Sequence, residues 1–418
     1  MSSDTGFDTS LWRNHDYMRW WTGSLFSTVG SSISVVALPL LIIFGDGSVL
    51  DAAFVGAAER LGSLTTQLLG GALADRCSRK VILVIGALIQ CGLMSGITWS
   101  ALTQGVNLPL LVVLSAGLGM ASGIVSAAVM PSLRRIVPRS QLAARAVQEQ
   151  GLNQVAQLVG GPVAGILFGL SRWVPFVADA VSFLLAAIAN LGIKADLGPD
   201  RGDRSTRRPS MVADIRAGAR IVVRDPFLRY TTGWVAVTNL VGSSVILLAI
   251  VLLKEHGATP HVIGLTNAAI LSGGVIASLV TGRLIRAVSA RRIFVVGNWA
   301  YVVTLAAVAL TRAPWQLAIA AGLFVFASVP TASVWEAYTA TLVPDHLFGR
   351  VGATTMFAAQ SLTWLGTLLA GGLAEAFGTP VAIGCFAALL VPYAVANHRT
   401  RVLDVLREPI DRVPELTA

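Results

Sequence analysis

The sequence predicts an all-α membrane protein: twelve transmembrane helices in two parallel six-helix repeats. Three observations carry this. The chain of 418 residues is 54% hydrophobic and only 13% charged, about half the ~25% charged content of an average soluble chain. Twelve apolar segments run through it, each near the roughly 20 residues that a helix needs to cross a bilayer. The last six segments repeat residues of the first six at offsets of 211 and 206.

In chain order, Trp12, Trp20 and Trp21 mark a short segment suited to the headgroup layer. Spans 1 to 6 follow at about 20–44, 52–72, 81–103, 108–130, 143–170 and 174–193. Residues 194–225 break the rhythm as a polar, Arg-rich linker. Its first part, from Pro199 to Pro209, reads as disordered. In its second part Arg216, Arg220 and Arg224 recur at i, i+4 and i+8, with Ile215, Ala219, Val222 and Val223 between them. That spacing predicts a basic amphipathic helix on an anionic membrane surface. Spans 7 to 12 lie at about 226–253, 261–282, 292–311, 315–337, 350–376 and 379–397, ahead of a polar tail at 398–418. The chain thus divides into halves at 1–193 and 226–397, a linker at 194–225 and a tail.

An even number of spans puts both termini on one side. With that side cytoplasmic, 27 of the 31 Lys and Arg residues fall there, as the positive-inside rule requires. The net charge of +9 therefore belongs to membrane topology and not to a nucleic-acid partner.

Gly71, Leu73, Ser78, Lys80, Ile82 and Val84 match Gly282, Leu284, Ser289, Arg291, Ile293 and Val295 at an offset of 211. Val137, Pro138, Gln154, Gly160 and Gly165 match Val343, Pro344, Gln360, Gly366 and Gly371 at an offset of 206. Parallel six-helix repeats are the architecture of alternating-access transporters, whose substrate site lies between the halves near the midplane. Between spans 2 and 3 stands a charged run, GGALADRCSRK at 70–80, with Asp75, Arg76, Arg79 and Lys80 in six residues. Its repeat has Arg286 where the first copy has Asp75.

This run resembles the signature of the major facilitator superfamily between spans 2 and 3. LWRNHDYMRWWTGSLFSTVGSSISVVALPLL in span 1, LVGGPVAGILFG in span 5, DIRAGARIVVRDPFLRY in the linker and VPDHLFGRV before span 11 resemble its macrolide-efflux and enterobactin-exporter-like branch. The resemblance covers the whole chain. It implies the major facilitator fold, and export of a drug, siderophore or secondary metabolite by proton antiport, usually by a monomer. It also implies that Gly71, Asp75, Arg76, Arg79 and Lys80 act with Arg350, at the start of span 11, to hold the cytoplasmic face shut. Two departures stand out: span 4 carries no arginine, and the small-residue pattern of span 5 is short.

An acid inside a membrane span costs about 2.5–3.5 kcal/mol, so each one asks for a function. Glu59, about 10 Å from the outer surface, and Glu149, about 10 Å from the inner one, are candidate proton carriers. Asp179, about 8 Å from the outside, is a third candidate, with a structural hydrogen bond its favoured role. Arg60 is expected to find Asp179, because both lie in the outer third. Glu336 sits at the inner end of span 10, where water reaches. Gln150, Gln154 and Gln157 share one face of span 5 with Asn153 at its edge, and a polar stripe on a span faces a cavity or a neighbouring helix. Ser31 in span 1, Gln67 in span 2, Trp234 and Asn239 in span 7, and Gln360 and Trp364 in span 11 are further candidates to line the cavity. As a set they suit a small amphiphile.

No Gly-Lys-[Ser/Thr] occurs, so the chain holds no P-loop. Its five histidines fall at loops or tails, and Cys77, Cys91 and Cys385 have no metal-ligand spacing. No cofactor, metal or catalytic residue is therefore expected. The expected partners are the bilayer, a small molecule and protons, in a bacterial cytoplasmic membrane. The rival readings are a proton-coupled importer of a small nutrient, separated by the direction of flux against a pH gradient, and, below it, a non-transporting membrane sensor, separated by measurable substrate flux.

Overall fold

Cap and proline chemistry sets the helix boundaries. In the computed structural model, which describes residues 11–45, 47–103, 107–198 and 211–413, the first helix, α1 (His15–Ile43), starts where the Asn14 side chain accepts from the backbone N–H groups of Asp16 and Tyr17. A capping box of Ser48 and Asp51 opens α2 (Val49–Arg76). Then come α3 (Arg79–Leu102), α4 (Leu108–Ile136), α5 (Leu142–Leu170) and α6 (Val174–Leu191). The linker helix is α7 (Met211–Arg224). Proline in the first turn, where its missing N–H costs nothing, opens α8 (Pro226–Glu255), α9 (Pro260–Ala287) and α11 (Pro314–Leu342). Between the last two lies α10 (Ala290–Ala309), and α12 (Asp345–Ser361), α13 (Thr363–Phe377) and α14 (Thr379–Arg399) end the bundle.

Among the described residues, nine of these helices are long and apolar enough to cross a membrane. They are accompanied by α2, by α5 and by the pair α12–α13. The single span expected at 350–376 is divided at Leu362. The hydroxyls of Ser361 and Thr363 bond back to the carbonyls of Ala358 and Gln360 at 2.8 Å each, which satisfies main-chain groups that the break frees.

The packing repeats as the sequence does. In the first half α1 packs on α5 and α6, α2 on α4, and α3 on α4 and α6. In the second, α8 packs on α13 and α14, α9 on α11, and α10 on α11 and α14. The glycines matched by the 206-residue offset occupy equivalent crossings. A Cβ at Gly160 would strike Ser32 of α1, and one at Gly366 would strike Leu240 of α8. A Cβ at Gly165 would meet Pro260 and His261 of α9, and one at Gly371 would meet Ala53 and Leu50 of α2. The last two contacts join the halves, α5 to α9 and α13 to α2. Small residues there allow backbones to approach closely without a hydrophobic drive between helices.

Two sequence expectations change. Trp20 is not at a headgroup layer: it is 5% exposed and packs tilted on Tyr17, with ring centroids 5.9 Å apart. Only Trp12 of the three tryptophans is exposed. The linker helix does form over the expected residues, but its described apolar side has a protein partner. Gly218 lies against Arg350 and Thr354 of α12, Val222 is buried, and Arg220 and Arg224 are exposed. The stretch from Pro199 to Pro209, read above as disordered, lies outside the described residues.

Candidate functional site

The face that carries the linker helix and the residues next to both termini is called here the terminal face. At the other end of the bundle the two halves touch. The Glu375 carboxylate at the end of α13 accepts from the Leu50 N–H in the first turn of α2 at 3.2 Å. The Lys254 ammonium at the end of α8 donates to the Ile43 carbonyl, the last of α1. Each charge meets the helix end of opposite sign, a contact worth about 0.3–1 kcal/mol. Glu375→Gln and Lys254→Met are each expected to weaken closure by up to about fivefold. Spin labels at Thr103 and Arg312, both exposed at this end, would report longer distances in the double variant than in the wild type.

Toward the terminal face the halves part around a cavity of about 930 Å³. It reaches from Val343 and Val351 at that face to Gly242, midway along α8, and Ala359, near the end of α12. The first half contributes Gln150 and Gln154 of α5; the second contributes Trp234 and Asn239 of α8 and a long stripe of α11. The stripe recurs at helical spacing: Ser328, Ala332, Glu336 and Thr339, with Trp335 beside them. Among the described residues, Glu336 is the only charged one in the lining. The Trp234 indole N–H donates to Asn298 at 2.6 Å, which fixes its ring against Phe294 at 4.7 Å between centroids. The Trp335 Nε1 and the Thr339 hydroxyl are buried with no hydrogen-bond partner among the described residues. Such groups cost free energy until something bonds them.

A second cavity of about 260 Å³ lies between the halves, lined by Glu59 and Arg60 of α2, Gly119 and Ser122 of α4, and Ser243 and Thr367 of the second half. No hydrogen bond or ion pair holds Glu59 or Arg60 among the described residues. The expected Arg60–Asp179 pair does not form. Asp179, fully buried, accepts from Ser34 at 2.5 Å and from Ser182 at 3.0 Å, tying α6 to α1. Gly30 leaves the room for that contact.

Glu149 is paired with Arg145 one turn earlier at 2.5 Å. Arg145 is 2% exposed, and its guanidinium stands over the Trp20 ring, 5.3 Å from the centroid. Of the remaining sequence candidates, Ser31, Gln67, Gln157, Gln360 and Trp364 line neither cavity. Gln157 is one turn beyond Gln154 but points off the same wall and is exposed.

The charged run at 70–80 splits into α2's end, a two-residue turn and α3's start. The Lys80 ammonium donates to the Ile193 carbonyl at 2.7 Å, and the Arg79 N–H donates to Leu197 at 2.9 Å. The bases thus fasten the end of the first half, and Arg79 is buried. Gly71 is half-buried and Arg76 exposed; the side chain of Asp75 lies outside the described residues. Arg350 is exposed on α12 beside the linker helix.

The sequence model of the Major Facilitator Superfamily matches residues 20–251. The chain belongs to this superfamily. It is accordingly a multi-pass membrane transporter and not an enzyme. The chain is 27% identical over 408 residues to the multidrug efflux pump Tap of Mycolicibacterium fortuitum, covering 92% of this chain and 96% of that protein. It is 25% identical to the Tap pump of Mycobacterium bovis, covering 94% of each. In fold it is similar to the nucleoside transporter NupG (TM-score 0.74, 11% identity, 92% of this chain and 99% of that one). It is also similar to a bacterial homologue of the lysosomal transporter Spinster in an inward-facing state (TM-score 0.72, 15% identity, 95% and 99%).

Sequence reasoning did not assign Arg145, Ser328 or Thr339 to the site, and it set Glu336 aside as a water-exposed acid. Arg145 read as one more charge near a membrane edge, though its i, i+4 spacing to Glu149 was visible. The stripe through Ser328, Glu336 and Thr339 carries the same 3.6-residue signal that singled out Gln150 and Gln154.

Proposed function

We propose that this protein exports small amphiphilic drugs or secondary metabolites from a bacterial cytoplasm by alternating access, in exchange for protons. The observation that carries the reading is the cavity between the halves. It is open toward the terminal face, walled by indole rings and side-chain amides, and holds Glu336 as its one charge among the described residues. Such a wall suits an apolar molecule with a cationic or uncharged head, and it offers nothing to a strongly anionic one. The names of the Tap relatives, multidrug efflux pumps, support the same direction.

In this reading the terminal face is cytoplasmic and the halves at 1–193 and 226–397 rock as units, joined by the linker at 194–225, in a monomer. The Lys254 and Glu375 contacts hold the outer end shut in the state described. In the alternate state Asp75, with Gly71, Arg76, Arg79, Lys80 and Arg350, closes the cytoplasmic end. Asp75→Asn is expected to express normally and to lose transport; wild-type rates in vesicles would remove the motif from the gate.

Glu59 leads the three acids as proton carrier. Asp179 is occupied by two hydroxyls and Glu149 by Arg145, whereas Glu59 faces a cavity between the halves with no such partner. The test is drug-driven proton movement in proteoliposomes carrying a pH-sensitive dye. Export predicts proton entry coupled to drug exit, abolished by Glu59→Gln and reduced by Glu149→Gln. Proton movement that survives in both variants, or drug moving with the proton, overturns the assignment.

A further inference from the structure

On the terminal face a groove of about 490 Å³ opens between the start of α10 and the segment that follows α14. Arg291, Arg292, His398 and Arg407 surround it, with Ser289 at its edge. We infer that this groove binds the phosphodiester headgroup of an anionic phospholipid from the leaflet on that side.

The charge balance is the first argument. Among the described residues the arginines of the groove pair with one carboxylate, Asp404. It accepts from Arg291 and also from the Arg407 Nε at 3.1 Å. Arg292 has no ion-pair or hydrogen-bond partner among the described residues. Both Arg291 and Arg292 sit in the first turn of α10, where the helix dipole opposes a positive charge. That turn contains no acid, and Ser289 makes no capping bond. An anion in the groove would satisfy the unpaired cation and the open helix end together.

The repeat gives the second argument. Lys80 and Arg291 are matched positions, and each reaches the end of the last helix of its own half. Lys80 bonds the Ile193 carbonyl, and Arg291 reaches the His398 carbonyl at 3.5 Å. The residue after each differs. The first half has the exposed apolar Val81, whereas the second has Arg292. Arg292 therefore adds a charge that the fastening role does not need.

Depth supplies the third. One turn along the same helix, Val296 is 59% exposed, and Val303, two turns further, is 62% exposed. An anion held at Arg292 would have apolar, lipid-facing surface directly below it. The Trp299 indole, bonded to His398 at 2.8 Å, stands at the boundary where indoles favour the headgroup layer. Basic pockets at this level of a membrane protein suit anionic headgroups. A phosphate ion in solution would use the arginines but not the valines.

The experiment is native mass spectrometry of the full-length protein released from nanodiscs of equal phosphatidylglycerol and phosphatidylcholine. The wild type is expected to retain phosphatidylglycerol over phosphatidylcholine, and Arg292→Gln to lower that retention at least fivefold. Arg292→Lys should keep most of it. Arg292 has no partner among the described residues, so Arg292→Gln is expected to leave folding intact, and an unchanged melting curve without added lipid checks this. A second readout is the rise in Tm on adding phosphatidylglycerol, which Arg407→Gln and Arg292→Gln should each diminish. Equal retention by wild type and Arg292→Gln, or displacement of the lipid by inorganic phosphate alone, overturns the assignment.

Discussion

Replacing Glu336 by glutamine is expected to cut efflux of cationic amphiphiles by roughly 10- to 100-fold while leaving neutral ones within about twofold. Among the described residues, Glu336 is the only charged side chain in the lining of the large cavity. Around it stand Trp234, Trp335 and the amides of Gln150 and Asn239, which contact any amphiphile but cannot balance a positive charge. A hydrogen bond to a charged group contributes about 1.5–3 kcal/mol, and each 1.4 kcal/mol is tenfold in affinity. Glutamine keeps the size and the hydrogen-bonding capacity and removes only the charge, so the loss should follow substrate charge. The check is efflux from proteoliposomes for a matched pair of dyes, one permanently cationic and one neutral. An equal loss for both would place Glu336 in proton coupling or folding and not in substrate recognition.

Gly119→Val is expected to destabilise the fold by roughly 3 kcal/mol or more, at the upper end of overpacking effects. A Cβ at Gly119 of α4 would overlap the Glu59 carbonyl of α2. A flexible side chain could rotate away from such a clash, but a helix backbone cannot. The same crossing uses Gly62, Gly70 and Gly123, each with backbone or short side chains of the facing helix against the missing Cβ. The helices would have to separate, and the separation would reach the small cavity, since Glu59 and Gly119 both line it. The measurement is the melting temperature of the purified protein in detergent together with its monodisperse yield. Gly92→Ala is the control. Nothing lies within 4 Å of a Cβ there, and alanine in a helix interior should stabilise by up to about 1 kcal/mol.

Some of the site was legible before folding because membrane insertion writes it into the sequence. Gln150 and Gln154 sit on one helical face of a span, and a polar face in a bilayer needs a cavity or a helix partner; these two line the cavity. Trp234 and Asn239 do the same from α8. Ser31, Gln67, Gln157, Gln360 and Trp364 obey the same rule in sequence but line neither cavity. A polar side chain in a span can be satisfied by its own helix or at a lipid boundary, and composition does not separate those outcomes. The acids show the limit more sharply. Glu59, Glu149 and Asp179 look alike in a list of intramembrane carboxylates. Their differences come from neighbours distant in the chain: Ser34 for Asp179, the walls of α1, α4 and α8 around Glu59, and, for Glu149, the burial of its partner Arg145 under Trp20.

The sequence alone determined the class and the repeat, because a bilayer penalises every unsatisfied backbone group and every misplaced charge residue by residue. It also determined where the linker helix forms, since the periodicity of residues 211–224 is local. The tertiary structure decided what that helix covers, which end of the bundle is shut, and which side chains share a cavity. It divided span 11 at Leu362, and it set Arg292 apart from its repeat partner as a cation with no partner among the described residues. Those outcomes depend on helix crossings between residues more than a hundred positions apart. The matched glycines permit such crossings, but no local pattern can state which faces meet across them.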